Sequence, residues 1–277
     1  MKVFILGDRF ITNEILKNEL AKRFGGSGID FEYGEHMLQW PVEPMEIGEE
    51  VSEYSGTDEE RLPYLKDVEV ILTHTGCITK RALDAAPNLK VIAAGRGGPV
   101  NINVEECTKR GIPVIYAPGR NAGAVAEFTV ALILAQSRSI SQSHHCLRYR
   151  NEWRGDMYAS DYVGSELAYS TVGLVGFGAI GSKVAKMVNG GFGAKVLVYD
   201  PYIPHEVKAG YPDYIFTDLD TVLGNSDYIS LHTKATKETA GMIGAREIGL
   251  MKETAIFINT ARPQLVDYDA LYDALAN

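Results

Sequence analysis

The sequence predicts an α/β protein built from two doubly wound, parallel-sheet domains, over residues 1–117 and 118–277. Three observations predict it. Apolar β-type runs alternate with helix-type segments along the first part of the chain, and such alternation implies parallel sheets. Residues 171–200, TVGLVGFGAIGSKVAKMVNGGFGAKVLVYD, repeat the strand–helix–strand pattern around a glycine-rich turn. Between them, Ala117-Pro118-Gly119-Arg120 has the turn chemistry of a boundary. A chain of 277 residues is long enough for two real cores.

Taken in order, residues 2–6 read as a first strand, with four apolar residues ahead of Gly7-Asp8-Arg9. That run is too short for a signal peptide. Residues 12–24 read as a helix with Leu16 and Leu20 on one face, and 29–33 as a second strand. Residues 34–60 carry many carboxylates and no Lys or Arg, which predicts a solvated surface excursion, with Trp40 anchoring it to the core. Strands are then expected at 68–72, 90–94 and 113–116, with helices at 79–85 and 104–110 between them. A long helix is expected over 122–150. Its middle, 128–135, is apolar almost all round, so it should be buried on more than one side, at a subunit interface or between domains. His144, His145 and Cys146 near its end invite a metal reading, but adjacent helical residues point in different directions, and no metal site is assigned. Beyond residue 200, helices are expected at 218–223, 245–251 and 267–276, and strands at 227–231 and 255–258.

The stretch 171–200 carries the most chemistry. An apolar run, 172–175, leads into Gly176-x-Gly178-x-x-Gly181, a helix over 182–189, and a strand over 195–199 that ends on Asp200. This is the order and spacing of a dinucleotide-binding βαβ unit. Gly176 lets the chain turn sharply, Gly178 lets backbone approach a pyrophosphate, and Gly181 lets helix and strand pack closely. The N–H groups around Ala179 and Ile180 lie at the helix N-terminus, where the dipole favours phosphate. Asp200 is placed to accept both ribose hydroxyls of NAD. A 2′-phosphate would meet its carboxylate, and Pro201, Tyr202, Ile203 and Pro204 supply no cation, so NAD is preferred over NADP. Asp200, His232 and Arg262 all follow predicted strands, at the carboxyl ends where open α/β sheets bind ligands.

Composition narrows the partners. A net charge of −9 argues against nucleic acid. No apolar stretch is long enough to span a bilayer. Three scattered cysteines argue against a disulfide framework and for the cytoplasm as the expected compartment.

Several motifs in order and spacing together resemble the D-isomer-specific 2-hydroxyacid dehydrogenase family. They are the segments 87–92, 95–103, 111–114 and 118–122 with Val125-Ala126-Glu127, then 172–181 and Ser230-Leu231-His232, and finally Ile258 to Arg262 with Leu265-Val266-Asp267. The resemblance implies a flavodoxin-like substrate domain over 1–117 and a Rossmann nucleotide-binding domain over 118–277, incomplete at its C-terminus. It implies NAD-dependent hydride transfer on a small 2-hydroxy or 2-keto acid, and usually a homodimer through the helix after residue 121. Arg262 matches the arginine that binds the substrate carboxylate and carbonyl oxygen, a role that suits a forked, permanently charged guanidinium. In the family a Gly commonly follows it; here Pro263-Gln264 do. Backbone N–H groups for the substrate carboxylate are implied at His74-Thr75-Gly76 and Gly97-Gly98, with Arg96 beside them. Val125, His232, Thr233, Thr260 and Ala261 match cofactor-side positions. The loop at His74 lacks the arginine of the phosphoglycerate-specific branch.

The chemistry also needs a base for the hydroxyl proton. The family's Glu–His pair for that task falls beyond Asn277, and His232 matches a cofactor-side position instead. The chain as written is therefore expected to turn over slowly, with a sheet edge lacking its usual cover. A second reading on the same scaffold is a catalytically silent NAD-binding interaction protein; formate and phosphite dehydrogenases share the scaffold as minor alternatives.

Overall fold

The apolar run after Met1 forms β1 (Lys2–Gly7), and the chain then alternates helix and strand through the first unit. The computed structural model describes residues 1–40, 45–160 and 162–276, without the side chains of Glu46 and Ile47. Two units are resolved by their internal contacts, Met1–Arg120 and Asn121–Asn277.

In the first unit, α1 (Asn13–Phe24) starts at Thr12, whose hydroxyl accepts the N–H of Ile15. Next come β2 (Glu32–Met37), the short antiparallel pair β3 (Glu46–Ile47) and β4 (Ser52–Tyr54), and β5 (Val70–Thr73). They are followed by α2 (Lys80–Asp84), β6 (Val91–Ala94), α3 (Val104–Lys109) and β7 (Val114–Tyr116). The hydroxyl of Thr79 caps α2 and the amide of Asn103 caps α3. The five-stranded sheet runs β2-β1-β5-β6-β7, all parallel. That is the flavodoxin-like order, with its reversal point between β1 and β5. Alternate residues of β1 serve opposite faces: Val3 and Ile5 meet Leu16 and Leu20 of α1, while Phe4 and Leu6 join Ile71, Ile78 and Ile92.

Two expectations are corrected here. The second strand is Glu32–Met37 rather than 29–33, because β1 pairs in register from Lys2↔Glu32 to Gly7↔Met37. It is an edge strand, which accounts for its charged and polar sequence. The acidic segment 34–60 is not simply a solvated excursion. Residues 34–37 lie in β2, Leu38 and Val51 are buried, and Ser55 donates its N–H to the carbonyl of Thr75. Residues 41–44 of that segment lie outside the described residues. Trp40 is 37% exposed and stacks against His74 instead of entering the core.

In the second unit the expected helix over 122–150 is three pieces: α4 (Ala122–Ser137), α5 (Ile140–His145) and a π-type turn over Cys146–Arg150. The break is at Ser139, which has φ +51. There Arg138 and Ser139 turn their side chains to the carbonyls of Val163 and Tyr162, which close over the helix end. Within this unit α4 is buried along one side. Ala126, Val130 and Ile133 are buried, whereas Phe128 is 60% exposed.

The remaining elements are β8 (Thr171–Val175), α6 (Gly181–Phe192), β9 (Lys195–Tyr199), α7 (His205–Lys208), β10 (Tyr214–Phe216) and α8 (Leu219–Asn225). Then come β11 (Tyr228–Leu231), α9 (Ala245–Leu250), β12 (Ile256–Asn259) and α10 (Tyr268–Ala276). The strand β10 is short and was not anticipated. The sheet runs β10-β9-β8-β11-β12, all parallel, the Rossmann order. One face is covered by α4 and α6 through Ala126, Ile133, Val184 and Val188, the other by α8 and α9 through Val222, Leu223 and Ile248. Among the described residues no helix is long and apolar enough to cross a membrane.

Candidate functional site

Because every strand of the second sheet is parallel, the carboxyl ends of β8, β9, β11 and β12 share one edge. The chain leaves β8 at Gly176, whose φ of +102 no side chain adopts readily. A Cβ there would lie 2.8 Å from the carbonyl carbon and oxygen of His232, so the turn and the end of β11 are in direct contact. A Cβ on Gly178 would meet nothing within 4 Å, which leaves the outer side of the turn open. A Cβ on Gly181 would lie 2.2 Å from the carbonyl oxygen of Gly176, so only glycine lets α6 start against the turn. Among the described residues the N–H groups of Ala179 and Ile180 have no acceptor and lie at the start of α6. Asp200 accepts the N–H of Phe177 at 2.8 Å on one carboxylate oxygen and that of Tyr202 at 3.0 Å on the other. Each oxygen keeps a further lone pair for a ligand hydroxyl. An open cradle of free N–H groups with a carboxylate tied to its rim fits the pyrophosphate and ribose of a dinucleotide.

The end of β11 closes the other side. His232 donates its N–H to Val175 at 2.8 Å, and the Thr233 hydroxyl donates to the same carbonyl at 3.0 Å. Both ring nitrogens of His232 are shielded from solvent and lack a partner among the described residues. Burial lowers its pKa to about 4, so the ring is neutral near pH 7 and is not a cation for phosphate. Thr129 on α4 donates its single hydroxyl proton to the carbonyl of Val125, so Thr260 donates to Thr129, at 2.9 Å. This chain of contacts brings the predicted Val125 and Thr260 together.

Past β12 the loop is shaped by Asn259. Its side chain accepts the N–H of Ala261 at 3.0 Å and donates to the carbonyl of Arg262 at 2.9 Å. Arg262 is extended, with φ −144 and ψ 143, as a residue before proline must be, and Pro263 opens a 3-10 turn. The departure from the family's glycine therefore fixes the backbone behind the guanidinium. The side chain is exposed, and its Nη1 donates to the carbonyl of Ala261 at 2.9 Å.

In the first unit the carboxyl ends of β1 and β5 meet at the reversal point of the sheet. Asp8, absent from the sequence-derived site, is fully buried there. Its carboxylate accepts His74 Nδ1 at 2.7 Å, the Thr75 hydroxyl at 2.7 Å, and the N–H groups of Phe10 and Ile11 at 2.9 Å each. Burial pushes this carboxyl up, but the His74, Ile11, Thr75 and Phe10 bonds outweigh it and hold the pKa at about 2. Asn101, also missed, donates to the carbonyls of His74 and Gly76. The position of Asp8 just after a strand was a usable signal, the same one that singled out Asp200.

Gly76 departs from its expected role. Its N–H donates to the Thr73 hydroxyl at 3.0 Å, and a Cβ there would lie 2.8 Å from that oxygen and 3.1 Å from Leu6. Close packing demands this glycine. The N–H groups of Thr75, Gly97 and Gly98 have no acceptor among the described residues, and both glycines face open space. Arg96 pairs with Glu53 at 2.5 Å and donates to the Glu53 carbonyl at 2.8 Å.

Residues 130–277 match the sequence profile described as the NAD binding domain of D-isomer specific 2-hydroxyacid dehydrogenases. The chain is 41% identical over 227 residues to a glyoxylate reductase of Thermofilum pendens, covering 82% of this chain and 66% of that protein. It is 38% identical over 231 residues to a D-3-phosphoglycerate dehydrogenase of Methanocaldococcus jannaschii, covering 83% of this chain and 43% of that protein. The chain thus spans less than two thirds of the length of these relatives. Among solved structures, the TT0316 protein of Thermus thermophilus superposes with a TM-score of 0.77 at 28% identity, over 100% of this chain and 79% of that one. A D-lactate dehydrogenase of Aquifex aeolicus, complexed with NAD and lactic acid, superposes with a TM-score of 0.71 at 30% identity, over 98% and 73%. With the glycine turn, Asp200 and the Asn259–Arg262 loop on one sheet edge, these likenesses establish that the chain belongs to the D-isomer-specific 2-hydroxyacid dehydrogenase family.

Proposed function

We propose that the protein is an NAD-dependent 2-hydroxyacid dehydrogenase working on a small 2-hydroxy or 2-keto acid. The observation that carries this reading is the shared edge of the second sheet, where the cradle at Gly176–Gly181 and the loop bearing Arg262 both emerge. Bound NAD supplies a hydride acceptor or donor. The N–H groups of Ala179 and Ile180 hold the pyrophosphate, and Asp200 accepts the ribose hydroxyls and disfavours a 2′-phosphate. Val125, His232, Thr233, Thr260 and Ala261 wall the cofactor side. His232 does so as a neutral ring with its backbone fixed on β8. Arg262 anchors the substrate carboxylate and polarises the C2 carbonyl, stabilising the oxygen as it gains charge.

In this reading residues 1–117 form the substrate domain and 118–277 the NAD domain. Thr75, Gly97 and Gly98 offer N–H groups to the substrate carboxylate, with His74 beside them. The Arg96–Glu53 pair holds the Gly97-Gly98 loop in shape. The exposed Phe128 on α4 supports a homodimer through this helix. Three free, buried cysteines support a reducing, cytoplasmic setting.

The test is NADH oxidation by the protein purified from its source, with glyoxylate, hydroxypyruvate and pyruvate. Turnover that needs both NADH and a 2-keto acid is expected. No keto-acid-dependent oxidation with any of them overturns the proposal.

A further inference from the structure

The turn after β5, residues 74–77, has each of its carbonyl groups engaged from within the first unit. Those of His74 and Gly76 accept the side-chain amide of Asn101, at 3.3 and 2.7 Å. That of Thr75 accepts the N–H of Ser55 at 3.0 Å, and that of Cys77 accepts the Arg61 guanidinium at 2.9 Å. A trans peptide points its C=O and its N–H in opposite directions. Drawing the His74 carbonyl onto Asn101 therefore turns the Thr75 N–H to the other side of the turn. That N–H has no acceptor among the described residues.

Asn101 is fully buried, and its own backbone sets its place. Its carbonyl accepts the N–H of Ile78 at 2.8 Å, and the Ile78 carbonyl accepts the N–H of Asn103 at 2.9 Å. The two carbonyls that meet its side chain can only accept, so the NH2 group faces them with one proton for each. The remaining oxygen, Oδ1, faces the neighbouring loop, where Arg96 donates to it from Nη1 at 3.4 Å. Arg96 stands directly before Gly97 and Gly98, whose N–H groups also have no acceptor among the described residues. One amide thus touches both loops that carry open N–H groups. A carboxylate in its place has no proton for the two carbonyls and keeps only the contact to Arg96.

We infer that Asn101 is a positioning residue for substrate binding: its NH2 group aims the Thr75 N–H, and its oxygen steadies the Gly97-Gly98 loop through Arg96. The inference rests on the reading that these N–H groups hold the substrate carboxylate. Asn101 acts through the turn and the loop, not by contact with the substrate.

The intact protein, saturated with NADH and isotope-labelled for amide NMR, is titrated with oxamate, an unreactive mimic of a 2-keto acid. The backbone amides of Thr75, Gly97 and Gly98 are expected to shift together, with one dissociation constant. In Asn101→Asp the Thr75 amide is expected to stop responding while Gly97 and Gly98 still shift. Oxamate should bind about tenfold more weakly, the loss of one charge-assisted bond. Arg96→Gln is expected to give the converse pattern, with Thr75 responding and the two glycines silent. A role in stability alone would affect the three amides alike. In the unaltered protein the side-chain amide protons of Asn101 are expected to exchange slowly with solvent, a readout that needs no variant. Fast exchange there, or a Thr75 amide that responds equally in Asn101→Asp, overturns the inference and leaves the carboxylate reading standing. Oxamate that moves none of the three amides in the unaltered protein refutes the carboxylate reading, and the inference falls with it.

Discussion

The Asp200 carboxylate accepts the N–H of Phe177 at 2.8 Å, so the end of β9 and the glycine turn after β8 form one hydrogen-bonded piece. The residue proposed to read the ribose is thus also a strut of the pyrophosphate cradle. Asp200→Asn and Asp200→Ala separate the two roles. Asn keeps an acceptor for Phe177 and loses the charge; Ala loses both. Both variants are expected to narrow the preference for NADH over NADPH. Asn gives up one of the two backbone N–H bonds and Ala gives up both, so Ala is expected to lower stability more, by about 1 kcal/mol for the additional bond. Dissociation constants for the two cofactors and a denaturant curve decide it. Equal affinities in the unaltered protein would sink the claim.

The three glycines of the turn do not share one task, and substitution should sort them. Gly176→Ala forces a Cβ into a φ of +102 and to 2.8 Å from the backbone of His232. A loss of stability of about 1–3 kcal/mol is expected from the backbone strain. Gly178→Ala adds its methyl into open space, so the fold should hold. Cofactor affinity should still fall, because that space is where the pyrophosphate is proposed to approach. Thermal melts with and without NADH give the two readouts. A Gly178→Ala protein that binds NADH normally would show that the ligand does not approach there.

His232 gives the second unit an acid sensitivity. Its folded pKa, lowered by burial to about 4, lies below the ordinary value of 6.5. The unfolded chain therefore takes up the proton first as pH falls. Stability is unaffected above about pH 6.5 and is lost progressively between there and about pH 4. The full difference is on the order of 3 kcal/mol. His232→Asn removes the titration. The variant's melting temperature should fall less than that of the unaltered protein between pH 7 and pH 4.5. Parallel curves would mean that the ring is solvated.

The sequence made the sheets legible wherever apolar runs were separated by turn residues, as in β1, β5, β8 and β11. It misplaced β2 because an edge strand has little need of apolar residues; EYGEHM reads as loop until its pairing with β1 is known. It ran α4 and α5 together because nothing local in Arg138-Ser139 forces a left-handed residue. That break comes from the 162–164 backbone closing on the helix end, where a Cβ on Gly164 would lie 1.8 Å from the carbonyl oxygen of Ser137. At the site, residues with a fixed spacing were visible. Those assembled from distant segments were not: Asp8 reaches His74 across 66 positions. Arg61 shows the same blindness. It is a charged residue that is fully buried, and it donates to the carbonyls of Thr57 and Cys77, which lie 4 and 16 positions away.

Arg262 is the residue on which the proposed chemistry most depends. Its neighbours fix the backbone through the Asn259 bonds and the extended geometry demanded by Pro263, so substitution should leave the loop in place. Two charge-assisted bonds to substrate oxygens, at about 1.5–3 kcal/mol each, correspond to a loss of roughly 10²–10⁴ in kcat/KM for Arg262→Ala. NADH binding is expected to stay within about twofold, since this side chain is assigned to substrate oxygens. Arg262→Lys should recover little, because an ammonium restores the charge without the fork. The pair of variants separates charge from geometry: strong rescue by Lys would mean that a point charge suffices. Near-normal kcat/KM in both would remove Arg262 from the active site.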